Sequence, residues 1–190
     1  MRNLVVFLHT SLDGIVEGPN GSMDIGFVRY NEELEAFANQ VLSSAQTILW
    51  GRATYEMMYQ YWPTMLDNPA ASDHERRHAA WIDSVEKWVC STRLESLAWN
   101  NASLLSGDIV SQLKERKNQE GGDIVVLGSP RLAKYLLKEK LVDTVTLTVS
   151  PVLVGGGLRL FEDLSEDLEL SSSESLHSGV LCLTYRIKPS

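Results

Sequence analysis

Cysteine is scarce in this sequence, and the cysteines that occur have no diagnostic spacing. There are two in 190 residues, and Cys90 and Cys182 each stand in an apolar run without a neighbouring cysteine or histidine. The histidines are scattered as well, and only His74 and His78 share helical i,i+4 spacing, without the glutamate signature of a zinc helix. We therefore expect no disulfide framework and no metal site, and we interpret His74 and His78 as part of a solvated helix face.

Basic residues are outnumbered by acidic ones, and long hydrophobic runs are missing. The 17 Lys and Arg against 25 Asp and Glu give a net charge of -8, which repels nucleic acid backbones and anionic membranes. No apolar run approaches the roughly 20 residues of a spanning helix, and the run near the N-terminus is short for a signal peptide. We therefore expect a cytoplasmic protein that binds neither nucleic acid nor membrane and holds any anionic ligand in a local positive pocket.

The remaining composition is that of an ordinary globular domain. Hydrophobic residues make up 44% of the chain and charged residues 22%, which leaves no room for a large disordered fraction. A chain of 190 residues can bury most of its apolar side chains around one core. No linker, repeat or low-complexity tract divides the sequence, so we expect a single domain over residues 1–190.

Short apolar runs typical of buried strands alternate with amphipathic helices along most of the chain. The predicted strands cover residues 3–11, 47–51, 87–92, 123–128 and 141–153, with a short extended stretch at 102–106. The predicted helices cover residues 31–45, 52–61, 73–84, 109–117 and 129–140. Two further strands, at 168–177 and 180–188, flank a tight turn. This order predicts an α/β three-layer sandwich with a mixed, mostly parallel sheet, flanking helices and a C-terminal antiparallel hairpin.

Residues with strong positional preferences predict several helix ends. Asn31 and Asp108 precede apolar periodic segments and can cap them. Ser129 is the predicted N-cap of a helix whose first position is Pro130, and both residue types are favoured there. Pro63 should close the second predicted helix, because proline has no N–H to continue it.

Glycine, hydroxyl and arginine side chains cluster at three predicted corners that directly follow strands. They are Gly51, Arg52 and Thr54 at the first corner, Ser91, Thr92 and Arg93 at the second, and Gly128, Ser129 and Pro130, followed by Arg131, at the third. Taken singly, such corners more often serve backbone geometry alone. Taken together, they predict a phosphate-rich ligand, because ligands of open α/β sheets bind beyond the strand ends, where helix N-termini present unpaired N–H groups. Neither a P-loop nor a G-x-G-x-x-G follows a predicted strand.

Aromatic residues are concentrated around the first corner. This group could wall a planar heterocycle, but such clusters more often belong to a core or an interface, and we favour that interpretation. The residues are Trp50, Tyr55, Tyr59, Tyr61 and Trp62.

Several segments jointly resemble one protein family. HTSLDGIVEGPNG, LWGRATYE, VCSTR and VLGSPRLAKYLL are followed by LVDTVTLTVSPVLVGGGLRLF. Their order and spacing resemble the dihydrofolate reductase-like superfamily, and within it the branch of the RibD C-terminal domain, the reductase domain of the bifunctional riboflavin biosynthesis protein. The resemblance covers residues 3–186, and its most specific part runs from GSPRLAKYLL to the final GLRLF.

The resemblance implies a bound NADPH and gives each corner a role toward it. The first corner would contact the cofactor phosphates, and the third would lie under the pyrophosphate with Leu132 in the helix behind. The second corner would surround the adenosine 2′-phosphate, where Arg93 would favour NADP over NAD. Val16 and Gly18 would belong to a mobile loop that closes over the nicotinamide and excludes water.

The family also implies an acidic residue close to the substrate. Glu33 in the first predicted helix is the counterpart by position, and Asp24 is the other nearby carboxylate; both are our predicted catalytic residues. Asp13 matches the family's loop. Each has a structural alternative, because acidic residues favour the first turn of a helix and Asp-Gly favours a turn.

Two departures from the family leave the substrate open. The zinc deaminase half, with its H-x-E and P-C-x-x-C pattern, is absent, and residues 67–77 do not match the segment expected near the substrate's ribose phosphate. We predict an NADPH-dependent reductase of a small heterocycle, similar to 5-amino-6-(5-phosphoribosylamino)uracil reductase or to dihydrofolate reductase, and a homodimer as in relatives of this branch. The alternatives are a non-catalytic NADP- or small-ligand-binding dimer and a structural dimer with a vestigial cleft.

Overall fold

A computed structural model of the protein describes residues 1–21 and 24–188. The strands in these ranges are β1 (Leu4–Ser11), β2 (Ile15–Glu17), β3 (Ala45–Gly51), β4 (Glu86–Cys90), β5 (Ala102–Leu105), β6 (Asp123–Leu127), β7 (Thr144–Ser150), β8 (Leu158–Arg159), β9 (Leu168–Ser175) and β10 (Leu181–Ile187). The helices are α1 (Glu32–Leu42), α2 (Arg52–Met65), α3 (Asp73–Ser84), α4 (Ile109–Lys117) and α5 (Pro130–Lys138). No helix in the described ranges combines the length and the apolar character that a membrane crossing needs.

The main sheet has the order β5-β4-β3-β6-β1-β7-β10-β9 within the described residues. Its first six strands run parallel. The β9–β10 hairpin joins antiparallel to β7. The mostly parallel sheet and the C-terminal hairpin predicted from the sequence are therefore confirmed. A small antiparallel pair, β2 with β8, was not predicted.

Helices cover both faces of this sheet, as the predicted three-layer sandwich requires. Successive residues of β1 point to opposite faces, because the side chains of a strand alternate. On one face Val6 packs with Leu113 of α4 and Leu136 of α5. On the other face Phe7 packs with Phe37 of α1, and α2 and α3 cover the same side of β3 and β4. The carboxyl ends of the parallel strands consequently meet along one edge between the two helix layers.

Two of the predicted N-caps are confirmed. The Asn31 side chain accepts the Leu34 N–H over 2.9 Å at the start of α1. The Asp108 side chain accepts the Ser111 N–H over 3.0 Å at the start of α4. Both bonds satisfy backbone donors that have no partner within the first helical turn.

Two proline residues change the predicted element boundaries. Pro63 lies inside α2, so the prediction that it closes the helix was wrong. The turn around it is held by packing, since the Trp62 ring lies 4.4 Å from the His78 ring of α3. β7 ends at Ser150, short of the predicted 153, because Pro151 has no N–H for the strand ladder.

The aromatic residues near the first corner are largely structural. Trp50 and Tyr55 are buried in the core, which confirms the interpretation favoured above. Tyr59 and Tyr61 keep 38% and 45% of their surface exposed. His78 was expected on a solvated face, and that prediction was wrong: its ring is held between Trp62 and Trp81, and burial lowers its pKa to about 4.

Candidate functional site at the carboxyl edge of the sheet

The turn between β3 and α2 meets the turn between β6 and α5. The two strands are neighbours in the sheet, and the Gly51 N–H donates to Ser129 Oγ over 3.0 Å. A Cβ placed on Gly128 would lie 3.8 Å from the methyl carbon of Thr54. The structure thus brings the first and third predicted corners together, with the N-termini of α2 and α5 side by side.

Ser129 holds a backbone conformation that side chains rarely adopt. Its φ of 54° and ψ of 57° are left-handed, and Gly128 before it also has a positive φ of 68°. Ser129 is the N-cap residue of α5, as predicted, but its side chain makes no capping bond, because a serine that caps with its side chain needs an extended backbone. The hydroxyl accepts from Gly51 instead. Pro130 opens α5 as predicted.

Gly51 leaves space that the chain itself does not use. Its backbone is extended, with φ −81° and ψ 162°, and an added Cβ would meet Leu132 Cβ at 3.8 Å and Ser129 Oγ at 4.0 Å. Both are ordinary contacts. By contrast, a Cβ on Gly122 would lie 2.6 Å from the Ser44 carbonyl oxygen. Neither conformation nor internal packing therefore requires glycine at position 51.

The second corner lies on the other side of β3. The last residue of β4 is in register with Gly51, and Ser91 follows directly. Ser91 Oγ accepts the N–H groups of Arg93 and Leu94, each over 3.0 Å, and so fixes the turn. Thr92 and Arg93 are exposed. Within the described part of the chain the Arg93 guanidinium has no hydrogen bond or ion pair, so it is a free cation beside the junction.

The other two corner arginines are paired with carboxylates. Arg52 Nη1 lies 2.7 Å from Glu56 Oε2, one turn along α2. Arg131 donates to both oxygens of Glu17, over 2.7 and 3.2 Å, and this hydrogen bonding raises the pKa of Arg131. The Arg131 pair ties the start of α5 to β2. Of the three arginines at the corners, Arg93 alone is unpaired within the described residues.

The residues predicted to cover the nicotinamide belong to a packed segment. Val16 is buried in the core, in the strand that pairs with β8, and Leu158 of β8 packs against the same core cluster. Gly18 donates its N–H to the Asp24 carbonyl over 2.7 Å, and a Cβ there would collide with the Asp24 carboxylate. Packing alone accounts for this glycine. The proposed contact of Val16 and Gly18 with a nicotinamide stays a prediction.

Both predicted catalytic carboxylates are engaged by the protein. Glu33 accepts the His177 backbone N–H over 3.0 Å and lies 2.5 Å from the ring Nδ1 of the same residue. This pairing lowers the pKa of Glu33 and raises that of His177. Asp24 Oδ2 accepts the backbone and side-chain N–H groups of Asn20, over 3.1 and 2.8 Å. A catalytic role for either carboxylate stays a prediction.

Asp13 joins the loop after β1 to the loop after β7. Its carboxylate accepts the Ser11 hydroxyl over 2.6 Å and the backbone N–H groups of Val154 and Gly155 over 3.1 and 2.8 Å. These bonds hold the pKa of Asp13 well below its usual value, with the Ser11 hydroxyl contributing most. Asp13 therefore serves the architecture of the loops that border the edge.

One polar residue of this region was missed in the sequence. His9 was treated as one of several scattered histidines, yet it lies near the end of the central strand β1, with Nδ1 2.5 Å from Thr148 Oγ1 of β7. Its ring meets Phe7 and Tyr30 edge to face. Burial lowers the pKa of His9 to about 4. Strand alternation, which puts His9 on the α1 face with Phe7, was the signal that could have identified it.

Two surface pockets of about 240 Å³ are lined by residues of α1, and Glu33 lines one of them. One is between α1 and α3, with Arg77 and Trp81 in its lining, and the other is between α1 and the hairpin, with Phe37. Among the residues described, no group of three or more His, Cys, Asp or Glu side chains is placed to hold a metal ion.

The fold defines a dihydrofolate reductase-like α/β protein. Dihydrofolate reductase from Enterococcus faecalis, solved with NADP(H) and RAB-propyl, superposes with a TM-score of 0.62 at 14% identity, over 98% of this chain and 97% of that one. A protein from Shewanella sp. PV-4 named for riboflavin biosynthesis superposes with a TM-score of 0.75 at 21% identity, over 98% and 99% of the two chains. At these identities the likeness establishes the fold alone.

Within that fold, the chain belongs to the RibD C-terminal domain family, whose sequence model matches residues 2–182. The resemblance identified in the sequence is thereby confirmed. YyaP from Bacillus subtilis (strain 168), an uncharacterised protein, is 29% identical over 186 residues, which cover 97% of this chain and 94% of YyaP.

Proposed function

We propose that this protein is an NADPH-dependent reductase of a small planar heterocycle, with the cofactor lying across the carboxyl ends of β4, β3 and β6. The observation that carries the proposal is the junction at which the Gly51 N–H donates to Ser129 Oγ over 3.0 Å. It aligns the N-termini of α2 and α5, which favour anions through their dipoles and unpaired N–H groups. A dinucleotide pyrophosphate is an anion of suitable size for such a paired site.

The chain leaves space beside Gly51, and this space would let a ligand approach the protein backbone closely. A Cβ there would meet only ordinary contacts at 3.8 and 4.0 Å. Thr54, in the first turn of α2, lies at the junction beside Gly128 and adds a hydroxyl donor there. When bound, the nicotinamide would supply the hydride, while the protein would bind, orient and exclude water.

Arg93 is the residue we assign to the adenosine 2′-phosphate. Among the three corner arginines, it alone has no hydrogen bond or ion pair within the described residues. A guanidinium can donate two parallel hydrogen bonds to one phosphate group. Arg52 would have to break its ion pair with Glu56, and Arg131 its ion pair with Glu17, before either could bind a phosphate. This difference predicts that Arg93 decides between NADPH and NADH.

Fluorescence titration with NADPH and NADH tests this assignment. Arg93→Gln should weaken NADPH binding by about 10- to 100-fold, the loss expected for a charged hydrogen bond, and should leave NADH binding unchanged. Arg186→Gln is the matched control, since Arg186 is exposed on β10 at the opposite end of the sheet. Equal losses for both cofactors in Arg93→Gln would contradict the 2′-phosphate contact, and a wild-type protein that binds neither would refute the proposal.

Gly51→Ala separates binding from folding. The free energy of unfolding should not fall and should rise by about 0.4–1 kcal/mol, because the added Cβ has room within the chain and alanine restricts the unfolded chain, whereas NADPH affinity should fall as the methyl group enters the cofactor space. Gly122→Ala is the contrasting variant, because its Cβ would lie 2.6 Å from Ser44 O. It should be destabilised without a specific effect on NADPH. Unchanged NADPH affinity in Gly51→Ala would contradict the proposed pose.

A second candidate function is a non-catalytic, NADP-binding protein. It is favoured by the bonds that already occupy both predicted carboxylates, Glu33 with His177 and Asp24 with Asn20. NADPH oxidation, followed at the nicotinamide absorbance band with aminopyrimidine and dihydropterin substrates, distinguishes the two functions. Tight NADPH binding without turnover of any of these rings would support the second candidate.

A further inference from the structure

The pocket of about 240 Å³ between α1 and α3 lies where matching faces of the two helices meet. Each helix contributes three residues at i, i+4 and i+7 spacing, which places them on one helix face. They are Glu35, Asn39 and Leu42 in α1, and His74, His78 and Trp81 in α3. His74 Nδ1 lies 2.5 Å from Glu35 Oε1, and Trp81 packs against the buried cluster that contains Leu42. The pocket lies between these two contacts.

This pocket is at the other end of the helices from the proposed cofactor site. Leu42 lies three residues before the start of β3 at Ala45, and Trp81 lies five residues before the start of β4 at Glu86. These two strands run parallel, and the proposed cofactor lies across their carboxyl ends. The apolar end of the pocket is therefore near the amino ends of the strands, so its ligand is not the substrate of the proposed reductase.

The polar side chains of the pocket favour an anion. Arg77 Nη2 lies 3.8 Å from Glu35 Oε1, which is longer than a hydrogen bond, so the guanidinium N–H groups have no acceptor within residues 1–21 and 24–188. The exposed Asn39 amide is also free of hydrogen bonds to the described residues. None of the described residues that line the pocket is acidic, although the whole chain carries a net charge of -8. A single guanidinium balances a carboxylate, whereas a phosphate group carries up to about two charges.

A row of rings along α3 forms one wall of the pocket. The His78 ring centroid lies 5.8 Å from that of His74 and 5.4 Å from that of Trp81. Burial lowers the pKa of His78 to about 4, so at neutral pH this ring is an uncharged flat surface. Leu42, which is buried, adds an aliphatic contact. Such walls suit an aromatic ring, because aromatic pairs gain from offset-stacked and edge-to-face contacts.

We propose that the pocket between α1 and α3 binds a small aromatic monocarboxylate, with the carboxylate on Arg77 and Asn39 and the ring against His78 and Trp81. A guanidinium can donate two parallel hydrogen bonds to one carboxylate. Arg77 and Trp81 are one helical turn apart, roughly 6 Å, which a short spacer between ring and carboxylate spans, as in an arylacetate. This binding activity goes beyond the proposed reductase function and does not rest on it.

NMR titration of the wild-type protein with phenylacetate tests the inference. The Trp81 indole N–H resonance, assigned with Trp81→Phe, should shift on binding. Phenylacetate should bind at least about tenfold more tightly than phenylacetamide, which lacks the charge, and than acetate, which lacks the ring. An unshifted Trp81 resonance, or equal affinity for phenylacetate and either of the other two probes, would overturn the inference.

Two variants test the carboxylate contact. Arg77→Gln should lose about tenfold in phenylacetate affinity, the loss expected for a charged hydrogen bond. Arg76→Gln is the matched control, since Arg76 donates to Asp73 over 2.8 Å and does not line the pocket. Full affinity in Arg77→Gln, or an equal loss in Arg76→Gln, would contradict the proposed contact.

Two further variants test the position of the ligand. Asn39→Phe fills the pocket with a ring and should abolish phenylacetate binding. Ala36→Phe places the same ring on another part of α1, where Ala36 lines the second pocket, and should leave binding unchanged. Both residues are exposed, so circular dichroism should show the native fold in both variants. Phenylacetate binding by a folded Asn39→Phe protein would overturn the inference, whereas failure of the wild-type protein to bind NADPH would refute the reductase proposal alone.

Discussion

Ser129 allows the hydroxyl and the backbone of the helix junction to be tested separately. Ser129→Ala removes the acceptor of the Gly51 N–H, a bond of 3.0 Å, and keeps a side chain on a left-handed residue. An unpaired N–H costs about 1–3 kcal/mol when buried. Gly51 is only partly buried, so we expect Ser129→Ala to lower the free energy of unfolding by about 1–2 kcal/mol.

Ser129→Gly removes the same hydroxyl but relieves the backbone. A left-handed conformation costs a residue with a Cβ about 1–2 kcal/mol, and the greater freedom of glycine in the unfolded chain offsets part of this gain. We therefore expect Ser129→Gly to be more stable than Ser129→Ala by about 1 kcal/mol. The glycine variant should thus be more stable than the alanine variant, whereas inside a helix alanine is the more stabilising of the two residues.

Urea unfolding followed by tryptophan fluorescence measures both effects. Trp50 reports close to the junction, since its Nε1 donates to the Leu127 carbonyl over 2.8 Å. Ser173→Ala, on the exposed edge strand β9, is the control and should change stability by less than about 0.5 kcal/mol. A Ser129→Ala protein as stable as wild type would refute the contribution of the bond. A Ser129→Gly protein no more stable than Ser129→Ala would refute the left-handed backbone.

Three further predictions concern other groups. Asp13→Asn should have a lower free energy of unfolding than wild type at neutral pH. The difference between the two proteins should shrink as pH falls below 3.8, the ordinary pKa of Asp, because the pKa of Asp13 in the native protein is lower still. Urea unfolding across pH measures this difference, and a difference that does not change with pH would contradict the prediction. Lys87 is fully buried and donates to three backbone carbonyls. Lys87→Ala should therefore lower the free energy of unfolding by about 2–5 kcal/mol, and Lys87→Met, which keeps most of the side-chain stem, should lower it less. Equal losses in the two variants would count against a packing role for the stem. Proton NMR should place the pKa of His177 above 6.5, so that its contribution to stability is present below 6.5 and lost as pH rises through the native pKa, and Glu33→Gln should return that pKa toward 6.5. An unchanged His177 titration in Glu33→Gln would exclude the pairing.

Much of the fold could be predicted because its signals are local. The alternation of apolar runs and amphipathic segments reports elements whose side-chain period is fixed by backbone geometry, and Asn31 and Asp108 cap helices through residues three positions away. The prediction failed at Pro63, where contact between Trp62 and His78 of another helix supports the turn. The capping bond expected from the Ser129 side chain is absent for a similar reason, since the hydroxyl is used by a residue 78 positions away.

The candidate site likewise combines features that the sequence predicts with features that only the tertiary structure shows. The sequence by itself determined that glycines, hydroxyls and arginines follow the buried strands, since these residues are adjacent in the chain and the strand ends are recognisable. Only the tertiary structure decided that Arg52 and Arg131 are paired while Arg93 is free within the described residues. Only it joined His9 to Thr148, 139 positions apart. Such pairings depend on the order of strands in the sheet, and hydrophobic periodicity carries no information about which strand lies beside which.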